Sequence, residues 1–338
     1  MLDDLKILKS KISNHCNVEN IKISIFNTSN FFNISNSNKN SEIIINFGLT
    51  NNIRRINKFH ESVNEILDFG NIYISCAETL EERRVRVRDK TPFGFKNIIR
   101  IVDFIYKRVI PKLPLLKKMY FSITHGHNRV MSKSEILGRL VSCGFEILEY
   151  FEEKNLLYII SRKNALPDFN MNPSYGFIFK MKRLGYKGKI IKVYKIRTMY
   201  PYSEYCQSLA IEENQLAESG KINNDFRVTT WGAFFRKFWI DELPMLINFF
   251  KRELNLVGVR PLSENYFSRY PKDLQELRIQ FKPGLIPPYY ADLPTNFDQI
   301  LNSEREYLKR KIKSPIVTDI KYFFKSIVNI VFKGARSS

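Results

Sequence analysis

The sequence predicts an α/β chain in two parts, and three observations carry that prediction. Apolar strand-like runs at 41–47 and 72–77 flank a helical pattern near 52–67, with Gly70 at the turn before the second run. A further helical pattern at 134–142 stops at Cys143-Gly144 and leads into strand-like runs at 145–150 and 156–161. Between 163 and 174 the chain is polar and interrupted by Pro167 and Pro173, the composition of a linker. These features place a first domain at 1–165 and a second at 174–338, each long enough to enclose a core. The Asn/Ser-rich tract 27–40 is expected to be loop.

The second part is organised around 224–261, NDFRVTTWGAFFRKFWIDELPMLINFFKRELNLVGVRP, where Asp241-Glu242 lies between Arg227, Arg236 and Arg260. Arginines hold phosphate oxygens bidentately while a carboxylate attacks or binds metal, so this pattern points to chemistry on a phosphorylated substrate. Asp-Glu-Leu-Pro is equally an ordinary helix start, with Asp241 as N-cap and Glu242 in the first turn. On that reading Leu243, Leu246, Ile247 and Phe250 form one buried face. The two roles are compatible, because a helix N-terminus favours the ionised carboxylate that a nucleophile or metal ligand needs.

With Lys195-Ile196-Arg197-Thr198-Met199 upstream and Lys282-Pro283-Gly284 downstream, the segment resembles the bacterial sugar transferases, the monotopic polyprenyl-phosphate phosphoglycosyl transferases. Arg227-Val228-Thr229 with Gly232 and Arg236, Asp241-Glu242-Leu243-Pro244 and Val257-Gly258-Val259-Arg260-Pro261 complete the pattern in the family's order. The resemblance implies an α+β phosphoglycosyl transferase domain with amphipathic helices. It also implies a two-step reaction in which Asp241 attacks the β-phosphate of a nucleotide-diphosphate sugar, a UDP-sugar by preference. The phosphosugar then passes to a polyprenyl phosphate, starting assembly of a surface polysaccharide or glycoconjugate. Glu242 would help hold Mg²⁺, and Lys195, Arg197, Thr198, Arg227, Arg236, Arg260, Pro261 and Lys282 would bind substrate. Phe226, Val259 and Leu285-Ile286-Pro287-Pro288 depart from the family's pattern, at positions expected to shape the acceptor side. The alternative is a non-catalytic relative that binds a nucleotide sugar or a partner in glycan assembly.

Composition fits an anionic partner. The chain carries 54 Lys and Arg against 34 Asp and Glu, a formal net charge of +20. It has no zinc-ligand spacing, RNP-like strand or basic tail, so nucleic acid is not the expected partner. Basic residues are interleaved with aromatic and aliphatic ones, which suits an anionic membrane surface. Every apolar run is broken by charge before the roughly 20 residues a spanning helix needs, and no signal-peptide core is expected. In particular, 160–189 lacks the hydrophobic re-entrant helix that usually precedes this family's catalytic region. Two amphipathic segments stand out. The first, 97–123, has an Ile98, Ile101, Val102, Ile105 and Val109 stripe expected to pack on the protein core. The second, 319–333, sets Ile320, Phe323, Phe324, Ile327, Val328 and Val331 on one face beside Lys321, Lys325 and Lys333. The expected location is peripheral, on the cytoplasmic face of the membrane.

The first part resembles the C-terminal half of a Rossmann-like methyltransferase: helix, strand, long excursion, then a strand hairpin. That family's cofactor site needs a glycine-rich turn, yet no glycine precedes Gly48, so the expectation is a degenerate scaffold without the cofactor. Cys16, Cys76, Cys143 and Cys206 are scattered without paired spacing and read as reduced thiols. His125-Gly126-His127 reads as a polar loop.

Overall fold

A computed structural model describes residues 2–16, 21–37, 41–92, 95–169, 176–214 and 224–333. The chain is mixed α/β and divides into two compact units: Met1–Tyr175 with Tyr200–Glu212, and Gly176–Met199 with Glu213–Ser338. Part of the linker tract, 170–175, lies outside the described residues, as do 38–40 of the Asn/Ser tract.

The first unit is built on a sheet of β1 (Ile23–Phe26), β2 (Ile43–Asn46), β3 (Ile72–Ala77), β4 (Phe145–Glu153) and β5 (Leu156–Lys163), in the order β1-β2-β3-β5-β4. The first three strands are parallel, with Ile43 opposite Ile72, and β5 runs antiparallel between β3 and β4. β2 is buried throughout, which is why it reads as an unbroken apolar run rather than an alternating one. β4 and β5 close through Lys154-Asn155, both at positive φ, the two-residue turn that matches strand twist. Helix Ile56–Ile66 links β2 to β3, and its start is delayed by a 3₁₀ turn at Thr50–Asn52. There the Asn51 amide donates to the carbonyls of Glu78 and Arg129, both 2.8 Å away. Helix Phe31–Ser35 occupies the tract expected to be loop: the Asn30 side chain caps it at Phe32 N, 3.1 Å, and Ile34 buries it.

Between β3 and β4 the chain makes a helical excursion. Helix Leu80–Lys90 begins in a Thr79/Glu82 capping box. Helix Lys96–Phe104, a π turn at Ile105–Val109 and helix Pro114–Thr124 follow, before helix Lys133–Ser142 returns to the sheet. The apolar stripe of this excursion does not pack on the core, contrary to expectation: Ile98, Ile101, Val102 and Ile105 are exposed. Polar anchors hold the other face instead. Arg83 forks the Asp103 carboxylate at 2.7 Å through both Nε and Nη2, and buried Arg108 donates to the Val130 carbonyl at 2.8 Å.

Under the sheet, His60 is buried between Phe59 and Tyr73, and among the described residues neither ring nitrogen has a hydrogen-bond partner. Burial, reinforced by the Arg139 charge, drives its pKa down from 6.5 to about 3. The unfolded chain therefore binds a proton that the folded unit refuses. Stability is full above pH 6.5 and falls as pH drops towards about 3, by up to about tenfold in the folding equilibrium per pH unit. His60→Phe should flatten that acid slope in denaturant midpoints measured at pH 7, 6 and 5. Equal acid loss in both proteins removes His60 as its source.

The second unit holds two small sheets. β6 (Ile178–Leu184) and β7 (Ile190–Ile196) form an antiparallel hairpin, and β8 (Asn255–Val257) pairs in parallel with β9 (Gly284–Ile286). Val257, Leu262, Leu274, Tyr307 and Leu308 centre its core, beside a buried Arg278–Glu304 ion pair. Helix Phe297–Lys313 leads into helix Pro315–Phe332. In this last helix the usual order is inverted. Thr318, Tyr322, Ser326 and Asn329 are buried, with the Asn329 amide donating to the carbonyls of Tyr290 (3.0 Å) and Ala291 (2.8 Å). Ile316 is 75% exposed and Phe332 81%, with Ile320, Phe324 and Val331 exposed between them. Among the described residues no helix is long and apolar enough to cross a membrane.

Candidate active site

The Asp241-Glu242 pair lies in a 3₁₀ helix, Ile240–Met245, which continues into helix Leu246–Phe250. Asp241 is not its N-cap. That position is Trp239, whose left-handed backbone (φ 55°) turns the chain and places Asp241 inside the first turn. The face expected to be buried is also reversed: Leu243, Leu246, Ile247 and Phe250 are exposed, Phe250 by 78%. Met245 and Asn248 take the inward positions. Asn248 is fully buried and acts as a clamp on β7. Its Oδ1 accepts from Tyr194 N at 3.1 Å, and its Nδ2 donates to Lys192 O at 2.8 Å and to Glu253 Oε2 at 2.6 Å. Val193, Met245 and Leu254 fill the space beneath.

This clamp sets the dyad against the end of β7. Lys195 Nζ donates to Glu242 Oε1 at 2.6 Å, and Arg260 Nη2 lies 3.8 Å from the same oxygen. Asp241 is buried, and that burial pushes its carboxyl above the usual aspartate range; Glu242 adds to the rise, while Lys195 and Arg236 oppose it. Burial also pulls the Lys195 ammonium below its ordinary range, against the attraction of Glu242. Arg260 donates from Nη1 to the Tyr289 hydroxyl at 3.3 Å, and its own carbonyl accepts from Arg278 at 2.7 Å.

Two close backbone approaches explain the glycines of the surrounding blocks. A Cβ on Gly232 would lie 2.1 Å from the Thr198 carbonyl oxygen, so only glycine lets helix Thr230–Lys237 settle against Thr198. Thr229 N donates to that same carbonyl at 2.9 Å, and Arg236 Nε donates to Thr198 Oγ1 at 2.9 Å. On the other side, a Cβ on Gly284 would lie 2.1 Å from Gly258 N, because the blocks holding Arg260 and Lys282 cross backbone to backbone. Buried Pro261 follows Arg260 directly.

The remaining cations are placed differently. Arg227 is buried and forks Asp225, Nε to Oδ1 at 2.9 Å and Nη2 to Oδ2 at 2.8 Å. Arg197 lies past the end of β7 and against the start of β6, donating to Gly176 O at 3.2 Å with its guanidinium 5.2 Å over the Phe179 ring. Lys282 contributes its carbonyl to the Gly258 crossing. Asn248 and Tyr289 were missed from sequence; the signals were a lone amide within LINFF and a tyrosine after the Pro287-Pro288 departure. Among the described residues no cluster of three or more His, Cys, Asp or Glu side chains is arranged for a metal.

The site thus sets a buried carboxylate beside a second one, with a lysine and two arginines around them, a set of cations chemically suited to phosphate oxygens. The family model described as Bacterial sugar transferase matches residues 169–333, just under half of the chain. Galactosyl transferase CpsE of Streptococcus agalactiae serotype III (strain NEM316) is 33% identical over 47% of this chain and 36% of its own. Undecaprenyl-phosphate galactose phosphotransferase of Salmonella typhimurium (strain LT2) is 34% identical over 32% of this chain and 24% of its own. An uncharacterized sugar transferase of Haemophilus influenzae (strain ATCC 51907) is 25% identical over 74% of this chain and 54% of its own. The chain thus spans from a quarter to about half of these relatives.

Proposed function

We propose that the chain is a phosphoglycosyl transferase that moves a phosphosugar from a UDP-sugar to a polyprenyl phosphate. The observation that carries this reading is the buried Asp241 beside a Glu242 held by Lys195, within the region matched to the sugar transferases. An Asp241 carboxylate oxygen attacks the β-phosphorus of the donor. The bond from that phosphorus to the α–β bridging oxygen breaks, and UMP leaves with the electron pair. An oxygen of the polyprenyl phosphate then attacks the same phosphorus of the aspartyl phosphosugar, releasing a polyprenyl diphosphosugar and restoring Asp241. Arg236 and Arg260, on either side of the dyad, neutralise the diphosphate.

The donor set fits Mg²⁺, which takes one or two carboxylates and completes its shell with water and phosphate oxygens. Glu242, with Asp241 adjacent, would hold it, and the ion would supply charge neutralisation on the diphosphate. Lys195 and Arg260 flank the Glu242 carboxylate and fix its direction. The outward apolar face of helix Pro315–Phe332 supports peripheral residence on a membrane, at the cytoplasmic face where nucleotide sugars are found. For the first unit, the β1-β2-β3-β5-β4 order with an inserted antiparallel β5 supports a degenerate Rossmann-like methyltransferase scaffold.

Incubation with Mg²⁺ and a panel of UDP-sugars without acceptor should give a phosphosugar mass adduct, abolished by EDTA. Glu242→Gln should raise the half-saturating Mg²⁺ concentration by about tenfold or more. Reversible UDP-sugar binding with no adduct from any donor, and no transfer with acceptor present, would favour the non-catalytic binding role.

A further inference from the structure

The exposed apolar face of the first unit has no part in phosphosugar transfer. It lies on the excursion between β3 and β4, where Ile98, Ile101, Val102 and Ile105 recur at helical spacing and all face solvent. Met119 and Ile123 of the following helix, Pro114–Thr124, are exposed as well; Ile98 is 60% exposed and Ile123 65%. Monomeric proteins scatter such residues singly, so a continuous run of them marks a binding surface.

The charges around this face select its partner. Among the side chains described between 95 and 124, the exposed charged ones are Arg100, Lys117 and Lys118, all cationic. The segment's one acid, Asp103, is neutralised by the Arg83 fork. Lys107, half-buried, lies with its ammonium 5.0 Å over the Tyr106 ring. Apolar side chains flanked by uncompensated cations match a layer that is hydrocarbon inside and phosphate outside. A second copy of the chain fits poorly, since a two-fold contact would bring the same cations of both copies together. The helices, of 9 and 11 residues, reach only about 14 to 17 Å, half of a bilayer core, so they lie in the interface and do not cross it.

We propose that the excursion 95–124 is a lipid-docking element. Its isoleucines enter the boundary between headgroups and acyl chains, while Arg100, Lys117 and Lys118 pair with anionic headgroup phosphates. This inference deepens the proposed reading and rests on it for the lipid-linked acceptor: the first unit would hold the chain at the bilayer where that acceptor resides.

The test is sedimentation of the full chain with phosphatidylglycerol/phosphatidylcholine vesicles and with phosphatidylcholine alone. Ile98→Glu/Ile101→Glu/Ile105→Glu should lower partition to the anionic vesicles by at least tenfold, with the wild-type melting curve retained because all three side chains are outside the core. Arg100→Gln/Lys117→Gln/Lys118→Gln should independently remove most of the preference for phosphatidylglycerol and most of the salt sensitivity. Unchanged partition in the triple glutamate variant overturns the proposal, as does a wild type that ignores both vesicles. A wild-type dimer in light scattering that the glutamates dissociate also overturns it, in favour of a second copy. Adduct formation from soluble UDP-sugar needs no lipid, so it should be equal in all these proteins; its absence throughout would count against the transferase reading and leave the partition result standing.

Discussion

Asp241→Asn is expected to abolish phosphosugar transfer, lowering turnover by at least about 10⁴-fold, the scale seen when a covalent nucleophile is removed. The loss should be chemical and not structural. The amide keeps the carboxylate's shape, and Asp241 sits where burial disfavours its charge, so the neutral amide costs less to bury than the anion it replaces. The melting temperature should therefore hold or rise slightly. Transfer of radiolabelled phosphosugar, read beside a thermal melt, checks both halves. Turnover above about one per cent of wild type would remove Asp241 as nucleophile, whatever happened to the melt.

How much of this was legible in the sequence depends on what each residue is packed against. The strands at 43–46, 72–77, 145–153 and 156–163 were readable because a sheet core demands apolar runs, and Gly70 and Gly144 at positive φ mark the turns beside them. The gathering of Lys195, Arg236 and Arg260 around Asp241-Glu242 follows the motif order, but the clamp that achieves it does not. Asn248 was invisible because an amide in an apolar helix looks like a blemish until its three partners are seen. The sharpest failures share one cause. At 98–105 and 243–250 the inward and outward faces were assigned from hydropathy alone, on the assumption that apolar means buried. Arg83–Asp103, Arg108 and Asn248 fix those helices by polar anchors, leaving isoleucine, leucine and phenylalanine outside. Periodicity identifies a face; only the anchoring contacts say which way it points.

Lys195→Met is the second large effect, expected to lower kcat/KM by about 10²–10³-fold, as when one electrostatic partner of a reacting group is removed. Methionine preserves most of the side-chain volume, so the change isolates the charge. Without the ammonium 2.6 Å away, Glu242 keeps, among the described residues, the Arg260 guanidinium at 3.8 Å, and its charge acts on Asp241 with less opposition. Lys195 is also the foremost of the groups that hold the Asp241 proton affinity down, so losing it raises an already raised carboxyl further. A nucleophile that must be ionised then needs a higher pH, and the acid limb of adduct formation should move upward in Lys195→Met. Arg197→Ala supplies the contrast. Its guanidinium lies on Gly176 and Phe179, and the loss should stay within about tenfold, with the pH profile unmoved. Rapid-quench rates of adduct formation across pH 5 to 8 in the three proteins separate the cases. If Lys195→Met matched Arg197→Ala in both rate and profile, the Lys195–Glu242 pair would be an ordinary surface-cleft ion pair, and the electrostatic role given to it here would fall.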